Sequence, residues 1–351
     1  MAKKGKRSVL FKIILIAGIL FICAGAYTAY KAYTILYKPN ISLNGKESIY
    51  LYIKTGSTFS DVMSIFNEKK IISDSVSFEW LADYKDFKTH VKPGKYLIKD
   101  GMSNNELINM LKSGRQEPVN LVFNNVRTKY QLAGKIASQL ETDSSSIVDV
   151  LSDSLYLDSS GFTPDNAVSV FIPNTYEFYW NTSAKQLFGK MKKEFDNFWT
   201  DERKTKAESA GLTPVQVEIL ASIIQEESRK YDEMPTIAGV YINRLNKDMK
   251  LEADPTVKFA VGDFTLKRVL KKHLQTDSPY NTYMYKGLPP GPICLPDSRI
   301  IDKVLNYEQH DYLYFCAKAD GSGYHSFAKT GAEHARNAQL YHQYLNTLKI
   351  K

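Results

Sequence analysis

Glu226 and Glu227 close an apolar run, Ile219-Leu-Ala-Ser-Ile-Ile-Gln-Glu-Glu227, and carboxyls in that setting can do acid–base chemistry. A carboxyl taken out of water holds its proton to higher pH, which is how a glutamate becomes a general acid near neutrality. Thr213-Pro214 with Gln216 is a capping-box helix start, so the run must be positioned by a helix beginning there. Val215, Val217, Ile219, Leu220, Ala221, Ile223 and Ile224 spread over an arc centred near Leu220. At roughly 100° per residue, Glu227 returns to within about 20° of that centre. Glu226 falls toward the flank, as a partner of the site or a surface residue. Glu227 is therefore the expected catalytic residue.

Other polar groups gather downstream. Asn243 and Arg244 follow the helical spacing of Ile237, Val240, Tyr241 and Leu245, and either pair within that helix or face a cleft. Asp254-Pro-Thr256 is by itself a turn signature. Tyr280-Asn-Thr-Tyr283 offers rings and amide donors, or simply packs the turn after Ser278-Pro279. His325 is the most tempting imidazole for a functional role, with a satisfied structural histidine as the competing reading.

Net charge of +8 does not imply a nucleic-acid partner, since Lys3, Lys4, Lys6, Arg7 and Lys12 supply five charges and leave +3. Residues 13–30 carry no charge. At about 1.5 Å per residue they span about 27 Å, and Val9 to Phe11 extend the run toward the ~30 Å of a bilayer. Basic residues before it, and Tyr27, Tyr30 and Tyr33 at its far end, read as a retained single-pass anchor with the N-terminus cytoplasmic. A cleaved signal peptide competes, but the long apolar stretch and bulky tyrosines favour the anchor. Cys294 and Cys316 are either a disulfide or buried free thiols. Scattered His and Cys imply no metal, and no cofactor is expected.

Several ordered blocks resemble one family. Residues 219–227, Val240-Tyr-Ile-Asn-Arg-Leu245 and Met249-x-Leu-x-x-Asp-Pro-Thr-Val257 are similar to the endolytic murein transglycosylases, the MltG/YceG-like family. Ser278-Pro-Tyr-Asn-Thr-Tyr283, Gly287-Leu-Pro-Pro-Gly-Pro-Ile293, Tyr312-Leu-Tyr-Phe315 and His325-Ser-Phe327 follow in the same order. Phe171-Ile-Pro-Asn-Thr-Tyr-Glu-Phe178 departs from the usual Pro-Asp-Thr-Tyr at Asn174. The resemblance implies a lytic transglycosylase that cuts the MurNAc-β-1,4-GlcNAc bond within nascent strands and leaves 1,6-anhydroMurNAc ends. It implies Glu227 as acid then base. It also implies substrate contacts at Glu226, Asn243, Arg244, Asp254, Thr256, Tyr280, Asn281, Thr282, Tyr283 and His325. Peptidoglycan is the implied substrate, and glycan polymerases or penicillin-binding proteins of the same inner membrane are implied partners, with the catalytic domain on the external face. A non-catalytic glycan-binding scaffold is the alternative. A pyridoxal-phosphate lyase, a label some relatives have carried, would require a phosphate cup, and no glycine-rich phosphate loop is found.

The expected fold is α+β. Residues 1–12 form a cytoplasmic tail, 13–33 the transmembrane helix and 34–47 a linker. Residues 48–117 form a small βααβ module that resembles a glycan-binding LysM-like unit or is an α+β support domain with no ligand, marked by the strand at 48–54, helical spacing of Val62, Ile65 and Phe66 and of Phe78, Leu81 and Tyr84, a second strand at Tyr96-Leu-Ile98, and the capping box Ser103–Glu106. Residues 118–351 form a mixed catalytic domain with an open substrate groove.

Overall fold

The computed structural model describes residues 3–124, 126–266 and 268–347, with side chains from Val9 onward. The chain divides into two compact units, one running to Val119 and including Tyr179–Asn181, the other comprising Asn120–Phe178 and the chain from Thr182 on.

The first unit opens with α1 (Lys3–Tyr37), whose portion Val9–Tyr37 is long and apolar enough to cross a membrane. It is followed by β1 (Ser48–Ile53), α2 (Phe59–Glu68), α3 (Ser75–Tyr84), β2 (Gly94–Lys99) and α4 (Asn104–Ser113). β1 and β2 pair antiparallel, Ser48 opposite Lys99 and Ile53 opposite Gly94. Alternation along β1 sends Leu51 and Ile53 inward while Tyr50 and Tyr52 stay exposed. Reciprocal capping boxes start α2 (Thr58 with Asp61) and α4 (Ser103 with Glu106), and Gly114 in the left-handed region ends α4. Phe66, Phe78, Leu81, Tyr96, Leu107 and Leu111 complete the core. The stretch 34–47, expected as a linker, is instead built into this unit. Ile41 and Leu43 are buried in its core, Ile35 and Leu36 pack against it, and Asn40 Nδ2 donates to Asn104 Oδ1 at 2.7 Å. The reason is local: two apolar side chains two residues apart have a hydrophobic surface to cover.

The second unit contains β3 (Val119–Val122), α5 (Lys129–Ala137), α6 (Ser144–Val150), α7 (Ser154–Asp158), β4 (Thr175–Phe178), α8 (Ala184–Phe198) and α9 (Asp201–Ser209). It continues with α10 (Pro214–Glu227), α11 (Met234–Asn246), α12 (Asp254–Val261), α13 (Ser298–Leu305), β5 (Tyr314–Ala317), β6 (His325–Ala328) and α14 (Gly331–Thr347). β3 pairs with β4, and β5 pairs antiparallel with β6, Ala317 opposite His325. Helix α10 is the centre of the unit, packed by α9, α11, α12 and α13. The expected apolar arc proves too narrow: every residue from Val217 to Ile224 is buried. Two polar residues survive there because each is bonded. Glu218 Oε1 accepts from Trp199 Nε1 at 3.0 Å, and Ser222 Oγ donates to Ile219 O and accepts from Ile293 N.

Candidate active site

Glu227 is the last residue of α10, half-buried where the helix leaves its enclosed stretch, Val217 to Ile224, and reaches a polar cavity of about 290 Å³. The Thr213 capping box and Pro214 fix the start of α10, and Ser228 turns extended to end it. That places the carboxylate at the wall rather than inside the core. Tyr241, buried on α11, donates its hydroxyl to Glu227 Oε1 at 2.9 Å. Burial pushes the Glu227 carboxyl up to about 7; the charge of Asp254 adds to this, while the Tyr241 hydrogen bond and Lys258 pull it down. The group can thus hold a proton and release it near neutral pH.

Asp254 lies in the first turn of α12 and accepts from the Tyr283 hydroxyl at 2.7 Å. Burial and this bond both raise the Tyr283 phenol, so it stays a donor. Arg244 also lines the cavity but is heavily committed: it donates to Leu313 O at 2.6 Å, to Lys250 O and Leu251 O at 3.0 Å, and to Glu252 Oε2 at 3.1 Å. It locks the α11–α12 connection to β5. His325 on β6 reaches the cavity, and its Nδ1 lies 2.7 Å from Glu233 Oε1, which also accepts from Ser228 Oγ at 2.7 Å. Glu233 Oε2 takes the His325 backbone N–H at 3.0 Å. The residue following Glu227 is in this way tied through one buried carboxylate to the β5–β6 hairpin.

Glu227, Arg244, Asp254, Tyr283 and His325 are therefore brought together, whereas six other expected contacts lie off this cavity. Glu226 points elsewhere and pairs with Arg127 at 2.8 Å. Asn243 donates to His310 O and Tyr312 O at 2.6 and 3.1 Å, and so fastens α11 to the chain entering β5. Thr256 and Thr282 are buried, with their hydroxyls 2.8 Å apart. Asn281 is fully buried, donating to Leu274 O and Thr276 O and accepting from Tyr283 N. Tyr280 packs its ring 4.6 Å from that of Phe259. These groups shape the loop that carries Tyr283 instead of meeting the cavity themselves. The proline loop at Leu288–Pro290 lines a separate cavity of about 540 Å³. Gly291 is required there, because a Cβ would sit 2.0 Å from Asp165 O. Cys294 and Cys316 are free thiols.

Three residues of the site escaped the sequence reading. Tyr241 carried a signal, a phenol within the apolar spacing of its helix, since a buried Tyr hydroxyl seeks a partner. Glu233 carried none. His334, in the first turn of α14, lines the cavity with its ring stacked 5.4 Å from that of Tyr314. Its buried Nδ1 has no hydrogen-bond partner among the described residues. Burial, then the charge of Arg244, lowers its proton affinity and favours the neutral imidazole.

The cavity thus gathers a proton-holding glutamate, Glu227, with two further carboxylates, Asp254 and Glu252, in a mixed α/β protein. The chain belongs to the YceG-like family, whose model matches residues 51–340. It is 29% identical over 317 residues to the endolytic murein transglycosylase of Bacillus subtilis (strain 168), covering 86% of this chain and 87% of that one. It is 28% identical over 359 residues to the endolytic murein transglycosylase of Streptococcus pneumoniae serotype 2 (strain D39), covering 93% of this chain but only 64% of the longer relative. A crystal structure of a yceG-like protein from Listeria monocytogenes superposes with a TM-score of 0.52 at 30% identity, over 83% of this chain and 99% of that one.

Proposed function

We propose that this protein is an endolytic murein transglycosylase, held in the cytoplasmic membrane by α1 with its N-terminus inside and its catalytic unit outside. The observation that carries the reading is Glu227, a carboxyl raised to about 7 in the wall of a polar cavity, in a chain whose relatives bear that name.

Glu227 first gives its proton to the glycosidic oxygen as the MurNAc C1–O bond breaks, so the GlcNAc side leaves as an alcohol. The carboxylate then takes the proton of the MurNAc C6 hydroxyl, whose oxygen closes onto C1. The product is a 1,6-anhydroMurNAc end, no water is consumed, and Glu227 returns protonated. Because the attacking hydroxyl is tethered to the same sugar, effective molarity does the work for which a hydrolase needs a second carboxylate. The Tyr241 hydroxyl stabilises the Glu227 carboxylate between the two steps. Tyr283, oriented by Asp254, and the ring of His334 at the cavity wall supply contacts to sugar hydroxyls or the N-acetyl group. Asn243, Thr256, Asn281 and Thr282 serve by holding the loops.

We read the antiparallel βααβ part of the first unit as LysM-like and glycan-binding. Glycan polymerases and penicillin-binding proteins in the same membrane are the partners such a topology would serve. Digestion of uncrosslinked glycan strands by the full-length protein in detergent, read by mass spectrometry, tests the reaction. Internal cuts with anhydromuramyl ends are expected; reducing ends would mean hydrolysis and overturn the proposal.

A further inference from the structure

Helix α3 has two faces of opposite character. Phe78, Leu81 and Ala82 are buried in the core, while Val76, Trp80 and Tyr84 stand 80%, 54% and 74% exposed. Their spacing of four puts them in one row, and the Trp80 and Tyr84 rings stack 5.6 Å apart. A row of large apolar side chains kept in the open marks an interaction surface. Its location says what covers it. Val76 and Trp80 line a cavity of about 640 Å³ whose other side is Tyr30, Lys31, Thr34 and Lys38, the end of the long apolar helix.

The heights match. A bilayer core of ~30 Å takes about twenty residues of helix, so a span beginning near Val9 ends just before Tyr30. Tyr30 to Lys38 then lie at headgroup depth, where Tyr, Trp and Lys are the preferred side chains. Helix α3 is held at that depth, because Ile35 and Leu36 pack against the core of the unit and Asn104 Nδ2 donates to Ile35 O at 3.1 Å. Among the described residues Lys31 and Lys38 form no ion pair. Asp74 also lines the cavity, with a carboxylate that caps α3 by accepting from Ser77 N.

We propose that this face is a phospholipid-docking surface: Val76, Trp80 and Tyr84 enter the headgroup–acyl boundary of the outer leaflet, and Lys31 and Lys38 meet lipid phosphates in the cavity between α1 and α3. The proposal rests on the reading of α1 as a membrane span. It fixes the first unit against the bilayer instead of leaving it on a free tether.

The test reconstitutes the full chain into phosphatidylcholine–phosphatidylglycerol vesicles carrying lipids brominated near the carbonyl. Alkaline carbonate washing is applied first. Release from the vesicles would overturn the anchor reading itself, and with it this proposal. In retained protein, Trp80 should be quenched while Trp199, buried in the second unit, is not. The expected loss is roughly a third of the emission, the share of one indole among three. Trp80→Phe should abolish that loss, and Lys31→Gln with Lys38→Gln should diminish it. Retained protein without quenching, or quenching undiminished by Trp80→Phe, would overturn the docking surface and leave the anchor standing.

Discussion

The Tyr241 hydroxyl and the Glu227 carboxylate, on successive helices, meet at 2.9 Å. This bond opposes burial: it favours the ionised glutamate that exists after the proton has been given up. Tyr241→Phe should therefore raise the proton affinity of Glu227 and shift the basic limb of the pH–rate profile upward. Losing one hydrogen bond to a charged group should lower kcat about tenfold. A limb that stays in place would contradict the pairing.

The pH profile of the unaltered protein follows from the same group. Glu227 must start protonated, and it releases its proton at about 7. Strand cleavage measured as kcat/KM should fall about tenfold per pH unit above that point. A rate flat from about pH 6 to about pH 9 would exclude Glu227 as the acid.

The same carboxyl costs stability at neutral pH. Glu227 rises from an ordinary 4.5 to about 7 on folding, so the folded state binds more protons than the unfolded one between those values. Stability contributed by the protonated form is present below 4.5 and lost as pH rises toward 7. Glu227→Gln removes that loss. Thermal unfolding should show the variant more stable at neutral pH by on the order of 1–3 kcal/mol, with the difference vanishing in acid. Equal destabilisation at both pH values would mean that the carboxylate is a structural partner.

His334→Phe keeps a ring to stack on Tyr314 but removes the imidazole from the cavity wall. If the imidazole binds substrate equally in ground and transition states, KM should rise about tenfold with kcat little changed. Unaltered KM would place His334 outside substrate recognition.

The start of α10, its apolar run and the carboxyl at its end were legible because caps and hydrophobic runs are local properties. So were β1, α2, β2 and α4, each bounded by a capping or turn residue in the chain itself. The arc around Glu227 was not, because α10 is enclosed on all sides from Val217 to Ile224 and has no solvent face there to set a phase. Asn281 and Thr282 could not be assigned from residue type: an amide or hydroxyl serves a sugar or its own loop equally well, and tertiary packing decides. The Glu233–His325 contact joins positions 92 apart and left no trace in either neighbourhood. Ile41 and Leu43 look like linker residues until the core they cap is in place.

Glu227→Gln decides whether this carboxyl carries the proton. Full-length unaltered protein and the variant, both shown folded by thermal unfolding, would be incubated with uncrosslinked glycan strands and the products weighed. Anhydromuramyl ends from the unaltered chain, reduced about 10²–10⁴-fold in the variant, are predicted. Equal yields of those ends from both proteins would show that another group carries the proton.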